Sequence, residues 1–566
     1  MKINLKAKPF NLNDDDIKWV ENTLGTMTEE EKIAQLFCLI AYSSEENYLD
    51  YLSCGLKIGG IMCRTMPAQE VVKTVSRLQE RSKIPMLISA NLEAGGNGVA
   101  LEGTRMGCEM AVSATGDSAF AQKLGDLCGK EGSVLGINWA FAPIADIDFN
   151  FRNPITNTRT FGANPSQVSE NSVAYIQAIQ KYGVAAAAKH FPGDGVDERD
   201  QHLVSAVNTF SCKEWDETYG QVYKKCIEAG VMTIMAGHIM LPSYSQALNP
   251  SLKDEDVLPA TLSPEIITGL LKEKLGFNGL VITDSTTMAG LAMAMDRRLA
   301  VPRTIAAGCD MFLFTKNLEE DFAYMKEGVK NGTITQERLD DAVTKILALK
   351  AALKLHKKNN IPSLEAALKT LSDPESKNLA VECADRAITL VKNKQELLPI
   401  SPQKYKRALF YCIESGEGQM GYGISKEANQ HFMQKLRDQG FEVTEFKPKE
   451  GFEGMMASSE EYKKNYDLII YSANMATKSN QTIVRIEWCQ PMGANVPVYI
   501  NSIPTIFISL ENPYHLLDVP RVKTYINTYG SSDIILDKLI EKLMGKSEFK
   551  GKSPVDAFCG KWDTHL

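Results

Sequence analysis

The sequence predicts an α/β protein in which an N-terminal (β/α)8 barrel of the TIM type is followed by a smaller α/β sandwich. Eight short apolar runs alternate with longer amphipathic segments over roughly 300 residues, which is the number and spacing of a barrel. A second set of apolar runs, most of them separated by helical patterns, begins near residue 378. We therefore predict a barrel domain at 1–360, a linker at 361–377 and a sandwich domain at 378–566.

The composition is that of an ordinary globular protein. Of 566 residues, 44% are apolar and 23% are charged, and the net charge of −8 provides no basic field for nucleic acid. No apolar run reaches the ~20 residues of a membrane helix, and the N-terminus has no apolar signal core. The 12 cysteines include no Cys-x-x-Cys pair and are typical of reduced core residues. We expect a soluble, cytoplasmic protein without metal, cofactor, nucleic-acid or membrane partner, and the oligomeric state stays open.

The first elements follow from helix-start signals and apolar runs. Residues 14–36 are helical in pattern, and Thr28 before three glutamates is a plausible helix cap. Short apolar runs then predict the barrel strands. The eight candidates are Ile33–Ala41, Gly59–Cys63, Pro85–Asn91, Ile137–Asp146, Gly183–His190, Val231–His238, Gly279–Asp284 and Cys309–Thr315.

Polar residues collect where these predicted strands end. Asn91, Asp146, His238 and Asp284 each close an apolar run. An aspartate buried without a partner at such a position would be costly. Because the carboxyl ends of barrel strands meet at one face, we expect these side chains to form a site there.

The most informative stretch is residues 184–202. It begins as a small apolar run, which predicts a strand buried on both faces, and this strand ends in Lys189 and His190. Phe-Pro-Gly then turns the chain into a polar loop that carries Asp194, Asp200 and His202. A solvated acidic loop is the alternative, but the other strand ends favour a site.

Several motifs together resemble glycoside hydrolase family 3, in its β-N-acetylglucosaminidase branch. They are Lys-His-Phe-Pro-Gly, Asp200-Gln-His202, Ile-Thr-Asp284-Ser-Thr-Thr-Met, Asn153-Pro through Arg159-Thr-Phe-Gly, Ala-Ala-Gly-Cys-Asp310, and Ile-Thr-Leu-Val-Lys-Asn with Leu-Leu-Pro after it. The resemblance extends from about residue 25 to the C-terminus, and its strength lies in the order of the motifs. It implies a retaining glycosidase that acts on small carbohydrate substrates.

The resemblance also implies roles for individual residues. Asp284 corresponds to the nucleophile that forms the glycosyl-enzyme intermediate. His202 corresponds to the acid/base, with Asp200 as the carboxylate that fixes its tautomer. Lys189, His190, Arg159 and Asn91 correspond to sugar-binding residues. A barrel lysine can also form a Schiff base, but that alternative leaves Asp284 and the Asp200–His202 pair without a role.

One loop departs from the family pattern. The family usually has Asp-x-Glu-Gly-Gly-Arg-x-x-Arg, whereas this chain has Asn91-Leu-Glu-Ala-Gly-Gly-Asn97-Gly-Val99. The aspartate is therefore an amide and both arginines are absent, with Arg105 the nearest arginine. Asp194 also stands where the branch favours histidine. These differences leave the chemistry intact and put the identity of the sugar in doubt.

In the second half, residues 330–358 predict a long amphipathic helix that closes the barrel domain. Five strands are then predicted, at 387–392, 407–413, 467–472, 504–510 and 522–528. Gly416-Glu-Gly-Gln-Met-Gly421 matches a dinucleotide-binding turn, but Glu417 would face the pyrophosphate, and a glycine-rich loop is the preferred interpretation.

The leading hypothesis is a retaining β-N-acetylhexosaminidase that acts on small glycosides or cell-wall-derived fragments. A phosphorylase that uses the same intermediate is an alternative, because an imidazole does not repel phosphate as a carboxylate does. A β-glucosidase-like enzyme is favoured by the altered loop. A non-catalytic sugar-binding protein is the remaining class.

Overall fold

The computed structural model describes residues 3–358, 360–414, 427–447, 458–489 and 493–566. Its first half contains the predicted eight-stranded parallel sheet, and a further pair of short strands. The strands of this half are β1 (Phe37–Ile40), β2 (Gly60–Met62), β3 (Leu87–Ala90), β4 (Trp139–Ala140), β5 (Ala185–Phe191), β6 (Ala206–Val207), β7 (Thr233–Ala236), β8 (Ile239–Met240), β9 (Leu280–Thr283) and β10 (Phe312–Leu313).

Eight of these strands form a barrel in the order β10-β1-β2-β3-β4-β5-β7-β9, while β6 pairs with β8. All the pairings between the barrel strands are parallel. The ring closes between β9 and β10, where Ile282 bridges Met311 and the Thr283 N–H donates to the Met311 carbonyl at 3.1 Å. The (β/α)8 prediction is confirmed.

Helices alternate with the barrel strands, as the amphipathic segments predicted. Those of the first half, with the two that follow it, are α1 (Asp14–Thr26), α2 (Glu29–Gln35), α3 (Glu46–Asp50), α4 (Ala68–Arg81), α5 (Glu109–Ala114), α6 (Ala119–Val134), α7 (Pro165–Gln180), α8 (Cys212–Trp215), α9 (Gln221–Glu228), α10 (Pro242–Leu248), α11 (Ala289–Ala292), α12 (Arg297–Ala307), α13 (Leu318–Lys330), α14 (Gln336–Ala352), α15 (Leu364–Leu371) and α16 (Pro374–Ala387). A wider π-helical segment, Glu265–Lys274, precedes β9.

Two sequence predictions need correction at helix ends. The strand predicted from Ile33 begins only at Phe37, because Thr28 and Glu31 form a capping box that starts α2 and carries it through Gln35. The helix predicted over 330–358 spans only Gln336–Ala352 in α14. Gly332, with a φ of 81°, separates it from α13, and the Thr335 side chain caps its first turn.

The second half contains a six-stranded sheet whose order is β11-β16-β15-β14-β12-β13. Five strands match the predicted ones, and only β11 is antiparallel to its neighbour. The strands and helices are β11 (Thr389–Asn393), β12 (Arg407–Glu414), α17 (Ala428–Asp438), β13 (Glu442–Glu445), α18 (Ser459–Asn465), β14 (Leu468–Asn474), β15 (Thr505–Ser509), β16 (Thr524–Asn527) and α19 (Asp533–Leu543).

Alternate residues of this sheet enter two separate apolar cores. Phe410, Ile470 and Ile508 pack with α17 and α19 on one face. Tyr411 and Tyr471 stack at 4.2 Å on the other. A sheet that is buried on both faces is what the sandwich prediction requires. The Gly-x-Gly-x-x-Gly motif lies outside the described residues.

By its packing the chain forms two units. The first contains the residues up to Arg105, Ala121–Thr156 and Pro165–Ser376, and the second contains Met106–Phe120, Asn157–Asn164 and Lys377–Leu566. The predicted linker region carries α15 and the start of α16. The predicted domain division at 360 and 378 stays a proposal, because packing does not measure which part folds alone. None of the helices in the described ranges has the length and apolar character of a membrane span.

Candidate active site

Polar side chains from four strand ends lie close together on one face of the barrel. β5 carries Lys189 and His190, and Asp284 directly follows β9. Asp146 lies beside the end of β5. The residue before it, Ala145, is held there by its N–H, which donates to the Lys189 carbonyl at 2.6 Å. His238 follows β7 and hydrogen-bonds the segment after Asp284. The strand ends thus bring together carboxylates and imidazoles, as parallel barrel topology requires.

Asp284 has two carboxylate oxygens in different environments. Oδ1 accepts the Ser285 N–H at 2.7 Å. Oδ2 is buried, has no hydrogen-bond partner among the described residues, and lies 3.8 Å from His190 Nε2. The side chain is only 12% exposed. One oxygen is therefore fixed by the backbone while the other is available to a reacting atom.

The surroundings of Asp284 favour its ionised form. Burial raises the pKa of this carboxyl, because desolvation penalises the charge. His190, His238 and His202 act in the opposite direction, together with the Ser285 N–H. Their combined effect outweighs burial and lowers the pKa of Asp284 below its usual value. A nucleophilic carboxylate must be ionised before it attacks.

Asp200 and His202 form a carboxylate–imidazole pair. His202 Nδ1 lies 2.7 Å from Asp200 Oδ1, which also accepts the His202 N–H at 2.9 Å. The Asp200 side chain is fully buried, whereas that of His202 is 24% exposed. An ionised carboxylate only accepts, so Nδ1 carries the proton in this pair and Nε2 is left to exchange protons with a ligand.

The loop that carries this pair is attached by hydrogen bonds to the segment after Asp284. The His202 carbonyl accepts the Ala289 N–H at 3.0 Å, and the Gln201 carbonyl accepts the Gly290 N–H at 3.2 Å. The Ser205 hydroxyl donates to the Gly290 carbonyl at 2.6 Å. These bonds hold His202 near Asp284, which agrees with the effect of His202 on the pKa of Asp284.

Lys189 is engaged in an ion pair. Its Nζ donates to Glu93 Oε1 at 2.8 Å, and the lysine side chain is 4% exposed. Glu93 lies two residues after Asn91 in the loop that follows β3. An amine nitrogen held by a carboxylate in this way suits a hydrogen-bond donor for hydroxyl groups better than a Schiff-base nucleophile.

His190 forms a second carboxylate–imidazole pair, with Asp146. Asp146 Oδ2 lies 2.6 Å from His190 Nδ1, and Oδ1 accepts the N–H groups of His190 and Asp194 at 3.0 and 2.8 Å. Asp194 lies beside this pair, fully buried, with Asn153 and Gly195 donating to it. Burial and the charge of Asp146 raise the pKa of Asp194 well above its usual range. The two buried carboxyls therefore lie side by side, joined through the Asp194 N–H.

Sequence reasoning missed Gln201 as part of this network and gave His238 no role. Gln201 Oε1 accepts the His238 N–H at 2.7 Å. His238 Nε2 lies 2.9 Å from the Ser285 carbonyl, so Nε2 is the donor and Nδ1 accepts from the Thr261 hydroxyl at 2.9 Å. Burial lowers the pKa of His238 and keeps it neutral. Its position at a strand end was the available signal, whereas the Gln201 contact joins distant segments and leaves no sequence pattern.

The other two predicted sugar-binding residues lie on separate segments of the chain. Asn91 directly follows β3, is exposed, and its side chain makes no hydrogen bond to another described residue. Arg159 ends a short 3₁₀ turn, Asn157–Arg159, which belongs to the second unit. Their roles stay predictions. Among the described residues, no group of three His, Cys, Asp or Glu side chains is arranged to hold a metal ion.

Comparisons with known proteins show which family the chain resembles over most of its length. The model of the glycosyl hydrolase family 3 N-terminal domain matches residues 28–349. A Cellulomonas fimi protein named β-N-acetylglucosaminidase/β-glucosidase is 55% identical over 564 residues, which covers 100% of both chains.

Solved structures extend the likeness to the full chain. A β-glucoside phosphorylase, BglX, superimposes with a TM-score of 0.92 at 44% identity, covering 99% of each chain. A family 3 β-N-acetylglucosaminidase from Paenibacillus sp. str. FPU-7 has a TM-score of 0.77 at 23% identity, covering 95% of this chain and 100% of the other. The latter likeness is one of fold.

Proposed function

The chain belongs to glycosyl hydrolase family 3 and is a glycosidase of that family, and from this premise we propose that it cleaves terminal β-linked N-acetylglucosamine and glucose from small glycosides with retention of configuration. Cell-wall-derived fragments are substrates of this class. The observation that carries the proposal is Asp284, a buried carboxylate with a lowered pKa and one unpaired oxygen at the barrel face. Both sugars are included because the Cellulomonas fimi relative is named for both activities.

In the first step, Asp284 Oδ2 attacks the anomeric carbon and the bond from this carbon to the glycosidic oxygen breaks. His202 Nε2 gives its proton to the departing oxygen. Asp200, which accepts from Nδ1 at 2.7 Å, stabilises the imidazolium that precedes this transfer. The product is a glycosyl ester on Asp284, with the leaving group released as an alcohol.

In the second step, His202 accepts a proton from the incoming acceptor, which attacks the anomeric carbon from the face that the leaving group occupied. The ester bond breaks and Asp284 returns to its ionised form. Two inversions give net retention. Lys189 supplies donors to the sugar hydroxyls, and the Glu93 ion pair holds its Nζ in position. The ring of His190 lies beside Asp284 and contacts the same sugar.

A second candidate function is phosphorolysis, in which inorganic phosphate replaces water in the second step. Two observations favour it. The proposed acid/base is an imidazole, which does not repel the phosphate anion as a second carboxylate would. The BglX structure, at 44% identity over nearly the whole chain, is that of a β-glucoside phosphorylase.

The test is product analysis of aryl β-N-acetylglucosaminide and aryl β-glucoside, with and without phosphate, followed by NMR. We expect cleavage of both substrates and a β-configured first product. Free sugar in phosphate buffer would support the hydrolase, and a sugar 1-phosphate would support the phosphorylase. An α-configured first product, or no cleavage of either glycoside, would contradict the proposed retaining mechanism.

A further inference from the structure

Asp146 is a buried carboxylate at the active face for which the two-step reaction needs no role. Its side chain is 2% exposed, and it accepts three hydrogen bonds. Two come from backbone N–H groups, of His190 and Asp194, and the third joins it to His190 Nδ1 at 2.6 Å. Such a set of donors matches an ionised carboxylate, which has only acceptors.

The neighbouring charges support this protonation pattern. Burial and the charge of Asp146 raise the pKa of the adjacent Asp194 carboxyl well above its usual range. The buried hydroxyl groups of Tyr219 and Tyr223 also have pKa values raised well above their usual range, by burial and by the charges of Asp146 and Asp194. Asp146 thus acts as a negative charge on three neighbouring groups, and it faces His190 Nδ1 at 2.6 Å.

The other side of the same ring faces the nucleophile. His190 Nε2 lies 3.8 Å from Asp284 Oδ2, the oxygen that has no hydrogen-bond partner. The other imidazoles near Asp284 are occupied differently. His238 uses both ring nitrogens for Thr261 and Ser285, and His202 must lose and regain its proton during turnover. His190 is the ring that can keep a constant relation to the nucleophile.

Resting on the proposed role of Asp284, we propose that Asp146 is a positioning residue that acts on the nucleophile through His190. Asp146 fixes the ring with Nδ1 on its own carboxylate and Nε2 toward Asp284 Oδ2, so that the ring stays turned toward the nucleophile before attack. When Asp284 becomes an ester, Asp146 still holds the ring in this orientation. The nucleophile can then lose and regain its charge without a change in the position of His190.

The main test is Asp146→Asn, which removes the charge and keeps the shape. We expect kcat/KM on an activated aryl glycoside to fall roughly 10- to 100-fold, as for loss of one preorganised electrostatic contact. The fall should appear in kcat more than in KM. The acidic limb of the pH profile should move to higher pH, because Asp284 loses a cationic neighbour. An unchanged limb would overturn the proposal.

Two controls separate this effect from loss of structure. Asp16→Asn removes another buried carboxylate, on α1. Asp16 Oδ1 lies 3.2 Å from His356 Nε2, and the residue has no part in the site. It should lower the melting temperature and leave the acidic limb in place. In a His190→Gln background, Asp146→Asn should have little further effect on kcat, because the residue acts through His190. Independent, multiplicative effects would contradict the proposal.

A measurement on the unmodified enzyme covers the case in which Asp146→Asn does not fold. The chain has seven histidines, so nitrogen-15 NMR of the imidazoles can assign His190. We expect Nδ1 of His190 to be protonated at neutral pH, and the opposite tautomer would overturn the proposal. If a fluorinated glycoside fails to label Asp284, the proposed function itself fails. If Asp284 is labelled while the tautomer and the acidic limb disagree, only the role of Asp146 fails.

Discussion

At the scale of single residues, two aspartates of the site have pKa values shifted in opposite directions by their surroundings. Neighbouring imidazoles and the Ser285 N–H lower the pKa of Asp284, although burial opposes ionisation. Burial and the charge of Asp146 raise the pKa of Asp194 well above its usual range. The same side-chain type thus has its pKa lowered in one place and raised in the other. Environment, and not residue identity, determines these states.

Asp284→Ala removes the proposed nucleophile and should reduce turnover by ~10⁴-fold or more, because the covalent intermediate can no longer form. Its far-UV circular dichroism should match that of the parent protein, since the Asp284 side chain accepts a single local hydrogen bond within the described residues. A fluorinated glycoside should label Asp284 in the parent protein, as read by mass spectrometry. A label on another carboxylate would contradict the assignment.

The Asp200–His202 pair should behave as one unit. Asp200→Ala, His202→Ala and the double variant should lose similar amounts of kcat/KM, because either change destroys the proton-transfer function. Aryl glycosides with good leaving groups should be less affected by His202→Ala in the first step, since they need little protonation. A double variant whose loss equals the product of the single losses would show that the residues act independently.

At the scale of elements, the loops after the strands carry the chemistry and differ in how far the sequence predicts them. Lys189, His190 and Asp284 were predictable because each ends an apolar run. The Asp200–His202 pair was predictable because its members are two residues apart. The hydrogen bond between Gln201 and His238 joins residues that are 37 positions apart in the sequence. The ion pair between Lys189 and Glu93 joins residues that are 96 positions apart. Such pairings depend on the closed barrel and leave no local pattern.

The loop after β3 is the part of the chain that differs most from the family's sequence pattern. Val99 is fully buried, so its position contributes packing and not a sugar contact. The Thr104 N–H in the same loop donates to the buried Glu131 carboxylate at 2.8 Å. Asn91 is exposed and is therefore one position of this loop where ligand contact can be tested. The family's charged contact is replaced here by an amide.

Asn91→Asp restores that charge with almost no change in shape. A charged contact to a hydroxyl is worth about 1.5–3 kcal/mol, which corresponds to about 10- to 150-fold in discrimination. We expect selectivity for the N-acetylglucosaminide over its carbon-4 epimer to rise, measured as a ratio of kcat/KM values. Asn91→Ala, which adds no charge, should not raise it. Equal loss on all sugars in Asn91→Asp would mean that the loop serves another substrate.

At the scale of the whole molecule, the spacing of apolar residues predicted the main helices and strands, because burial in the core determines where apolar residues stand. All eight barrel runs form strands, since each is enclosed by neighbours on both sides. The strand β13 was missed because its residues, Glu442–Glu445, alternate between exposed and half-buried at the edge of the sheet and carry charges. The sequence also did not indicate that residues 106–120 and 157–164 pack with the second unit. That arrangement depends on contacts between distant segments.

The barrel also contains buried lysines, which couple its stability to pH. Lys350, on α14, is fully buried and donates to Gln35 Oε1 at 2.6 Å. Burial lowers its pKa from 10.5 to about 7. Between pH 7 and about pH 10.5 the unfolded chain binds this proton and the folded protein does not, so stability rises with pH in that window.

Lys350→Met removes the group that titrates and should flatten this rise, as measured by the thermal unfolding midpoint between pH 7 and 10. One fully titrating group contributes up to about 1.4 kcal/mol per pH unit. Some slope should remain, because burial also lowers the pKa of Lys272 to about 7, beside the Asp310 carboxylate. Lys330→Met, at an exposed position at the end of α13, should keep the slope of the parent protein. Parallel curves for Lys350→Met and the parent would mean that Lys350 stays charged in the folded barrel.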